Sequence, residues 1–198
     1  MMYRDGQLEN DPQVDRCSLR GKIWKALIGV GEVDAEYYIS LVKSGQCKVY
    51  SKIRCDTPRT LKTNAKFHER VPESTLIRVL NSTCNHMQSK EINNRVSYVQ
   101  GMNILLSPLL YVMPEVDAFY TFICLIENHY PRYVEASMSG VIDGCALLEE
   151  CMEICDLDLY KHLMLQNDGG RVFHFRSVMT LCCCTPPVSY THLRAHET

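Results

Sequence analysis

From Leu76 to Met87 the apolar side chains recur every three or four residues. Leu76, Val79, Leu80, Thr83, Cys84 and Met87 line one face of a helix whose first turn suits Pro72-Glu73. A second and more apolar run, Met102, Leu105, Leu106, Leu109, Leu110 and Met113, keeps the same interval until Pro114 ends it. The spacing predicts that this run is the most buried element of the chain. Ser18 can cap a helix carrying Leu19, Ile23, Trp24, Leu27 and Ile28, with Gly29 or Gly31 at its end. Asp34 opens a short helix through Tyr37, Tyr38, Leu41 and Val42, closed by Ser44-Gly45. Lys48 to Arg54 alternates loosely, as a strand also would, and reads better as a loop and helix start. Glu115 and Asp117 favour a helix N-terminus, with Val116, Phe119, Tyr120, Ile123 and Ile126 inward, before Tyr130-Pro131-Arg132-Tyr133 turns the chain. Gly140 to Cys155 is amphipathic through Val141, Cys145, Leu148, Cys151, Met152 and Cys155, with Glu149, Glu150 and Glu153 on a solvated face. Asp156 to Leu165 continues helically until Asn167-Asp168-Gly169-Gly170 breaks it. With no internal repeat and no credible strand pair, the expected fold class is all-α and multi-helical.

A chain of 198 residues, 46% hydrophobic and 22% charged, suffices for one substantial core. Lys+Arg 21 against Asp+Glu 23 leaves a net charge of -2, so no polyanion-binding surface, and hence no nucleic-acid partner, is expected. No apolar run approaches the roughly 20 residues of a bilayer span, and Met1 to Gly6 lacks a signal peptide's apolar region. The expectation is a cytosolic protein. Of the 11 cysteines, Cys84, Cys124, Cys145, Cys151 and Cys155 fall on apolar faces of the expected helices, where free cysteine acts as a small hydrophobe. Cys151 and Cys155 could face one metal, but no Cys-x-x-Cys or paired histidines accompany them, and no metal site is expected. The Cys182-Cys183-Cys184 run is not a recognisable site.

The chemistry is concentrated between Ile53 and Asn103. Pro58 fixes its own φ and should push Thr57 out of the helical region, so that Arg59 follows a stiff, extended turn. Thr60 to Phe67 is polar and should lie on the surface, as should the connection from His86 to Val96. An ordinary solvated arginine also fits position 59. Asp56 reads as an N-cap or hydrogen-bond brace rather than a general base. Gln100 is followed by Gly101, whose missing Cβ permits close approach, and then by the apolar helix that anchors the glutamine. A pre-aimed guanidinium and a pre-aimed amide suit charge stabilisation and water placement. Trp24, the only tryptophan, reads as a core anchor, and Arg20 as an arginine bonding carbonyls or a carboxylate inside the domain, with substrate contact as the alternative.

Three motifs now stand in order: Arg20-x-x-x-Trp24, Ile53-x-x-Asp56-x-x-Arg59 and Tyr98-x-Gln100-Gly101-Met102-Asn103. Singly each is weak; together they resemble the TBC-domain family of Rab GTPase-activating proteins. The stretches Arg59 to Asn64, Val71 to Asn81, Ser97 to Leu110 and Ser177 to Pro187 resemble its fungal branch that restrains mitotic exit and septation. The resemblance covers residues 16 to 187 and implies an activator of GTP hydrolysis on a small Rab- or Ras-like GTPase, not a hydrolase in its own right. It implies Arg59 as arginine finger and Gln100 as the group that orients the attacking water. Arg20, Trp24, Ile53, Asp56, Tyr98 and Gly101 would support them. No cofactor of its own is implied: the chain has no Gly-x-x-x-x-Gly-Lys loop, so GTP and magnesium would belong to the GTPase. A separate scaffold partner and the spindle pole body are further implications. The alternative is a TBC-like module that binds a GTPase or scaffold without promoting hydrolysis. Residues 1 to 15 read as a mobile or incomplete arm. Val188 to Thr198 resembles the translation of a sequencing-library adapter, which would make the chain a domain cut short near Pro186 and leave His192 and His196 without meaning.

Overall fold

The computed structural model describes residues 17–90, 98–135, 137–165 and 171–184, the last segment with side chains from residue 174 onward. The expectations for residues 1 to 15, for the connection over 91–97, for the break at 167–170, and for 188 to 198 fall outside the described residues. Within them the chain forms α1 (Leu19–Ile28), α2 (Ala35–Lys43), α3 (Tyr50–Asp56), α4 (Ala65–Arg70), α5 (Glu73–Ser89), α6 (Met102–Val112), α7 (Glu115–Cys124), α8 (Ser139–Cys155), α9 (Leu157–Leu165) and α10 (Arg171–Met179). Short 3-10 turns cover Thr57–Arg59 and Pro131–Tyr133, and a π turn covers Leu125–His129. No strand occurs among the described residues, so the fold is all-α.

Side-chain caps start several of these helices by satisfying an otherwise unpaired backbone N–H. Ser18 accepts from Gly21 N at 3.1 Å, Asp34 from Tyr37 N at 3.0 Å, and Asn64 from Phe67 N at 3.1 Å. The Asn64 cap creates α4, which the polar composition of Thr60 to Phe67 concealed. That segment is not uniformly superficial: Thr60 and Phe67 are buried and only the residues between them lie outside or at the boundary.

α5 is the hub, packed on α2, α3, α6 and α7. Its six expected core positions, Leu76, Val79, Leu80, Thr83, Cys84 and Met87, are all buried, as are all six in the run from Met102 to Met113. Each fully buried aliphatic side chain contributes about 1.5–3 kcal/mol, so this shared interface dominates stability. α6 tolerates Pro108 in its interior, and its buried face otherwise follows the expected spacing. Polar ties set the register around the hub. Arg78 on α5 grips both oxygens of Glu115 at the start of α7, and the Tyr38 hydroxyl of α2 donates to the same carboxylate. Asn81 accepts from Cys47 N at 2.9 Å and donates to Gly45 O at 2.8 Å, which fastens the turn after α2. α1 lies across α6 and α7, with Lys25 paired to Asp117 at 2.6 Å. A Cβ on Gly21 would come within 2.7 Å of Cys17 Sγ and 3.0 Å of Val112 O, so the close crossing depends on that glycine.

Two expectations need correction. Cys151 and Cys155 are exposed rather than sheltered on an apolar face, because α8 buries only its first turns, through Gly140, Val141 and Cys145. His86, assigned to an exposed connection, is instead buried near the end of α5. Its ring joins α2 to the π turn: the Tyr37 hydroxyl lies 2.8 Å from Nδ1 and Glu127 Oε1 lies 3.0 Å from Nε2. A carboxylate can only accept, so Nε2 carries the proton and Nδ1 accepts from tyrosine.

Burial lowers the His86 pKa below its ordinary 6.5, against the opposing pull of Glu127. The imidazole is therefore neutral in the folded protein at neutral pH. As pH falls through about 6.5 the unfolded chain takes up its proton first, so stability drops in the acid direction until the folded ring also protonates. Urea unfolding between pH 7.5 and 5.0 should show a steeper acid loss for the wild-type chain than for His86→Gln. Equal slopes would contradict this assignment.

Candidate functional site

α3 runs directly into the 3-10 turn that bears Arg59. Thr57 has φ -58 and ψ -45, a helical geometry, so the expected extended approach to Pro58 does not form. The reason is tertiary. Ile53, Thr57 and Thr60 are all buried, at 0%, 2% and 0% exposure, and only a helical course turns these three inward together. Thr57 Oγ1 donates to Ile53 O, while Thr60 N bonds to Thr57 O at 3.0 Å, closing the tighter turn. Pro58 sits at the start of that turn, where its missing N–H leaves no bond unmade. The same course turns Arg59 outward, with its side chain 67% exposed.

Arg59 rests on its own turn. Nη2 reaches Asp56 Oδ1 at 2.6 Å and Nε donates to Cys55 O at 3.2 Å. The second oxygen of Asp56 accepts from the buried Tyr98 hydroxyl at 3.0 Å. Burial, then the Asp56 charge and this hydrogen bond, push the Tyr98 pKa above the ordinary tyrosine value, so the phenol stays protonated and donates. One carboxylate thus ties the arginine turn to the start of the glutamine motif.

Beyond Tyr98 and Val99, Gln100 is exposed. Gly101 takes φ 106, a region L side chains rarely adopt, and an added Cβ would come within 2.9 Å of Met179 Cε at the end of α10. The close approach expected at this glycine therefore comes from a methionine of the same chain. Gly101 N donates to Asn103 Oδ1 at 3.2 Å. The other end of the Asn103 amide donates to Thr60 Oγ1 at 2.7 Å and to Asp56 O at 3.5 Å. Asn103 closes the third sequence motif but had no role assigned to it, and Thr60 did not stand out at all. The available signal was an amide inside the apolar run of α6, since a buried amide must find partners.

Ile53, Asp56, Arg59, Tyr98, Gln100 and Gly101 therefore share one seam between the end of α3 and the start of α6. A notch of about 210 Å³ opens beside it, lined by Pro58, Lys62, His68 and the apolar Phe67, Val71 and Leu76. Trp24 is half-buried against the core. Arg20 is exposed on α1, not bonded inside the domain, because the inward position beside it is taken by Gly21 at the tight crossing. Neither residue enters the Asp56 network. No group of three or more His, Cys, Asp or Glu side chains among the described residues could hold a metal ion.

An all-α chain that presents an arginine turn and a Tyr-x-Gln-Gly turn on one seam defines a class, and residues 17–194 match the Rab-GTPase-TBC domain family. The chain belongs to that family. Its relatives include cell division control protein 16 of Schizosaccharomyces pombe, 35% identical over 184 residues, covering 92% of this chain and 59% of that protein. The mitotic check point protein BUB2 of Saccharomyces cerevisiae is 32% identical over 191 residues, covering 91% of this chain and 62% of its own. A Dictyostelium discoideum relative carrying the same BUB2 name is 37% identical over 174 residues, or 87% of this chain and 45% of that one. The chain thus spans about half to three-fifths of these relatives. The crystal structure of the Ypt/Rab-GAP domain of Gyp1p shares the fold, with a TM-score of 0.61 at 19% identity over 82% of this chain and 63% of that chain. The family match runs past Pro187 into the stretch read as adapter sequence.

Because Gly101 combines positive φ with a neighbour already in contact, Gly101→Ala should lower stability by about 1–3 kcal/mol. Urea unfolding measures this, and an unchanged midpoint would mean that the turn relaxes freely.

Proposed function

We propose that this chain accelerates GTP hydrolysis on a small GTPase of the Rab or Ras-like class by lending it Arg59 and Gln100. The observation that carries the reading is the seam itself: both side chains are exposed, and the turns that bear them are held together through Asp56 and Tyr98. Phosphoryl transfer needs charge neutralised on the transferring group and a water placed in line, with little demand for a strong protein base. A guanidinium and a carboxamide supply those two functions.

Arg59 must leave Asp56 to enter a nucleotide pocket. An ion pair this exposed is worth roughly 0–1 kcal/mol, so its release is a small cost against the charge of a γ-phosphoryl group. Gln100 orients the attacking water in place of the GTPase's own glutamine. GTP and magnesium belong to the partner. We assign this activity to the control of mitotic exit and septation, a reading supported by relatives named as mitotic check point and cell division control proteins. We further propose a soluble, cytoplasmic setting with recruitment to the spindle pole body through a scaffold protein. No helix among the described residues is long and apolar enough to cross a membrane.

Single-turnover GTP hydrolysis on a panel of Rab-class GTPases tests the proposal. Arg59→Ala should lower the stimulated rate by about 10³- to 10⁵-fold, equivalent to roughly 4–7 kcal/mol of barrier. Arg59→Lys should not restore it, since an ammonium lacks the planar fork. Gln100→Ala should cost roughly 10²-fold or more, in the range of other preorganised transition-state donors. Binding with equal rates for wild type and variants would instead favour a module that holds the GTPase without assisting hydrolysis.

A further inference from the structure

We propose that Asn103 and Thr60 are positioning residues that set the distance and angle between the Arg59 and Gln100 turns. This rests on the reading of those two side chains as the groups that act on the nucleotide.

Two rigid bodies joined by one link can still hinge about it. The Asp56 carboxylate is one link, joining a neighbour of Arg59 to Tyr98, which precedes Gln100. The Asn103 amide is a second, and it engages the residues directly after each of the two: Gly101 N after Gln100, at 3.2 Å, and Thr60 Oγ1 after Arg59, at 2.7 Å. With two separate links the hinge is removed. Asn103 and Thr60 are buried, at 5% and 0% exposure, so solvent does not compete for these bonds.

The polarity of the network fixes the amide. Thr60 Oγ1 donates its single proton to Asp56 O at 3.3 Å and accepts from Asn103 Nδ2, which also faces Asp56 O. Asn103 Oδ1 takes the Gly101 N–H. A flipped amide would set its NH₂ against the Gly101 N–H and its oxygen against the Asp56 carbonyl, repelling at both ends. A helix start alone would need only the contact to Gly101; the bonds to the arginine turn are what tie the two turns together.

Thr60→Val keeps the shape and deletes the hydroxyl, whereas Thr60→Ser keeps the hydroxyl. On a Rab GTPase that the wild-type chain activates, Thr60→Val and Asn103→Ala should lower the saturating single-turnover rate about 10- to 100-fold, the cost of misplacing a reacting group by about 1 Å. The half-saturating concentration should stay unchanged and Thr60→Ser should retain the rate. In a Gln100→Ala background the further loss from Asn103→Ala should shrink to a few-fold, because the group it aims is gone. Wild-type rates in Thr60→Val, or an undiminished loss in the Gln100→Ala background, would overturn the inference. Should Asn103→Ala fail to fold, the Thr60 pair decides alone. If Arg59→Ala and Gln100→Ala match wild type, the underlying reading fails and this one with it; if they fall while Thr60→Val does not, only the positioning role is refuted.

Discussion

Asp56 gives one carboxylate oxygen to the Arg59 guanidinium and the other to the Tyr98 hydroxyl, and the two bonds are unequal. The tyrosine bond is sheltered and made to a charged acceptor, a kind worth about 1.5–3 kcal/mol. The arginine bond is exposed and worth less than about 1 kcal/mol. Asp56 is therefore fixed by the tyrosine and offers the arginine a resting place it can leave. In the role proposed for Arg59, aimed before its target arrives and then released onto it, this asymmetry is what is needed.

The seam can be rigid because the hub beneath it is. α5 packs against α3 and the arginine turn on one side and against α6, which starts at the glutamine turn, on another. Its buried face combines Leu76, Val79, Leu80, Cys84 and Met87 with the polar Asn81, Ser82, Thr83 and His86. The polar ties of Arg78, Asn81 and His86 fix how the surrounding helices are registered against it. Precision at the surface thus descends from packing in the interior: Ile53, Thr57 and Thr60 turn inward, and Arg59 faces out as a consequence.

α5 and α6 were legible because eleven apolar residues and Thr83 at helical spacing leave little else to build, and all twelve are buried. The pairing of the Asp56 and Tyr98 motifs was legible as motif order, though not as a shared carboxylate. What the sequence hid was non-local. The pre-proline rule at Thr57 is a local steric preference, and it yielded to the burial of three residues one turn apart. His86 looked like the start of a polar connection because its partners, Tyr37 and Glu127, lie far away in the chain. α4 has a single buried side chain, Phe67, too few to print a period. Cys151 and Cys155 follow the right interval on α8, yet only the first turns of that helix meet the core.

On the proposed reading, Arg59 and Gln100 meet at a nucleotide bound to another protein. The most direct measurement is a structure of this chain with its GTPase, loaded with GDP and aluminium fluoride as a stand-in for the transferring phosphoryl group. In that complex the Arg59 guanidinium should have left Asp56 for the fluoride, the Gln100 amide should hold the in-line water, and the Tyr98 and Asn103 bonds should be intact. Arg59 still resting on Asp56, with the water held by the GTPase's own glutamine, would contradict it.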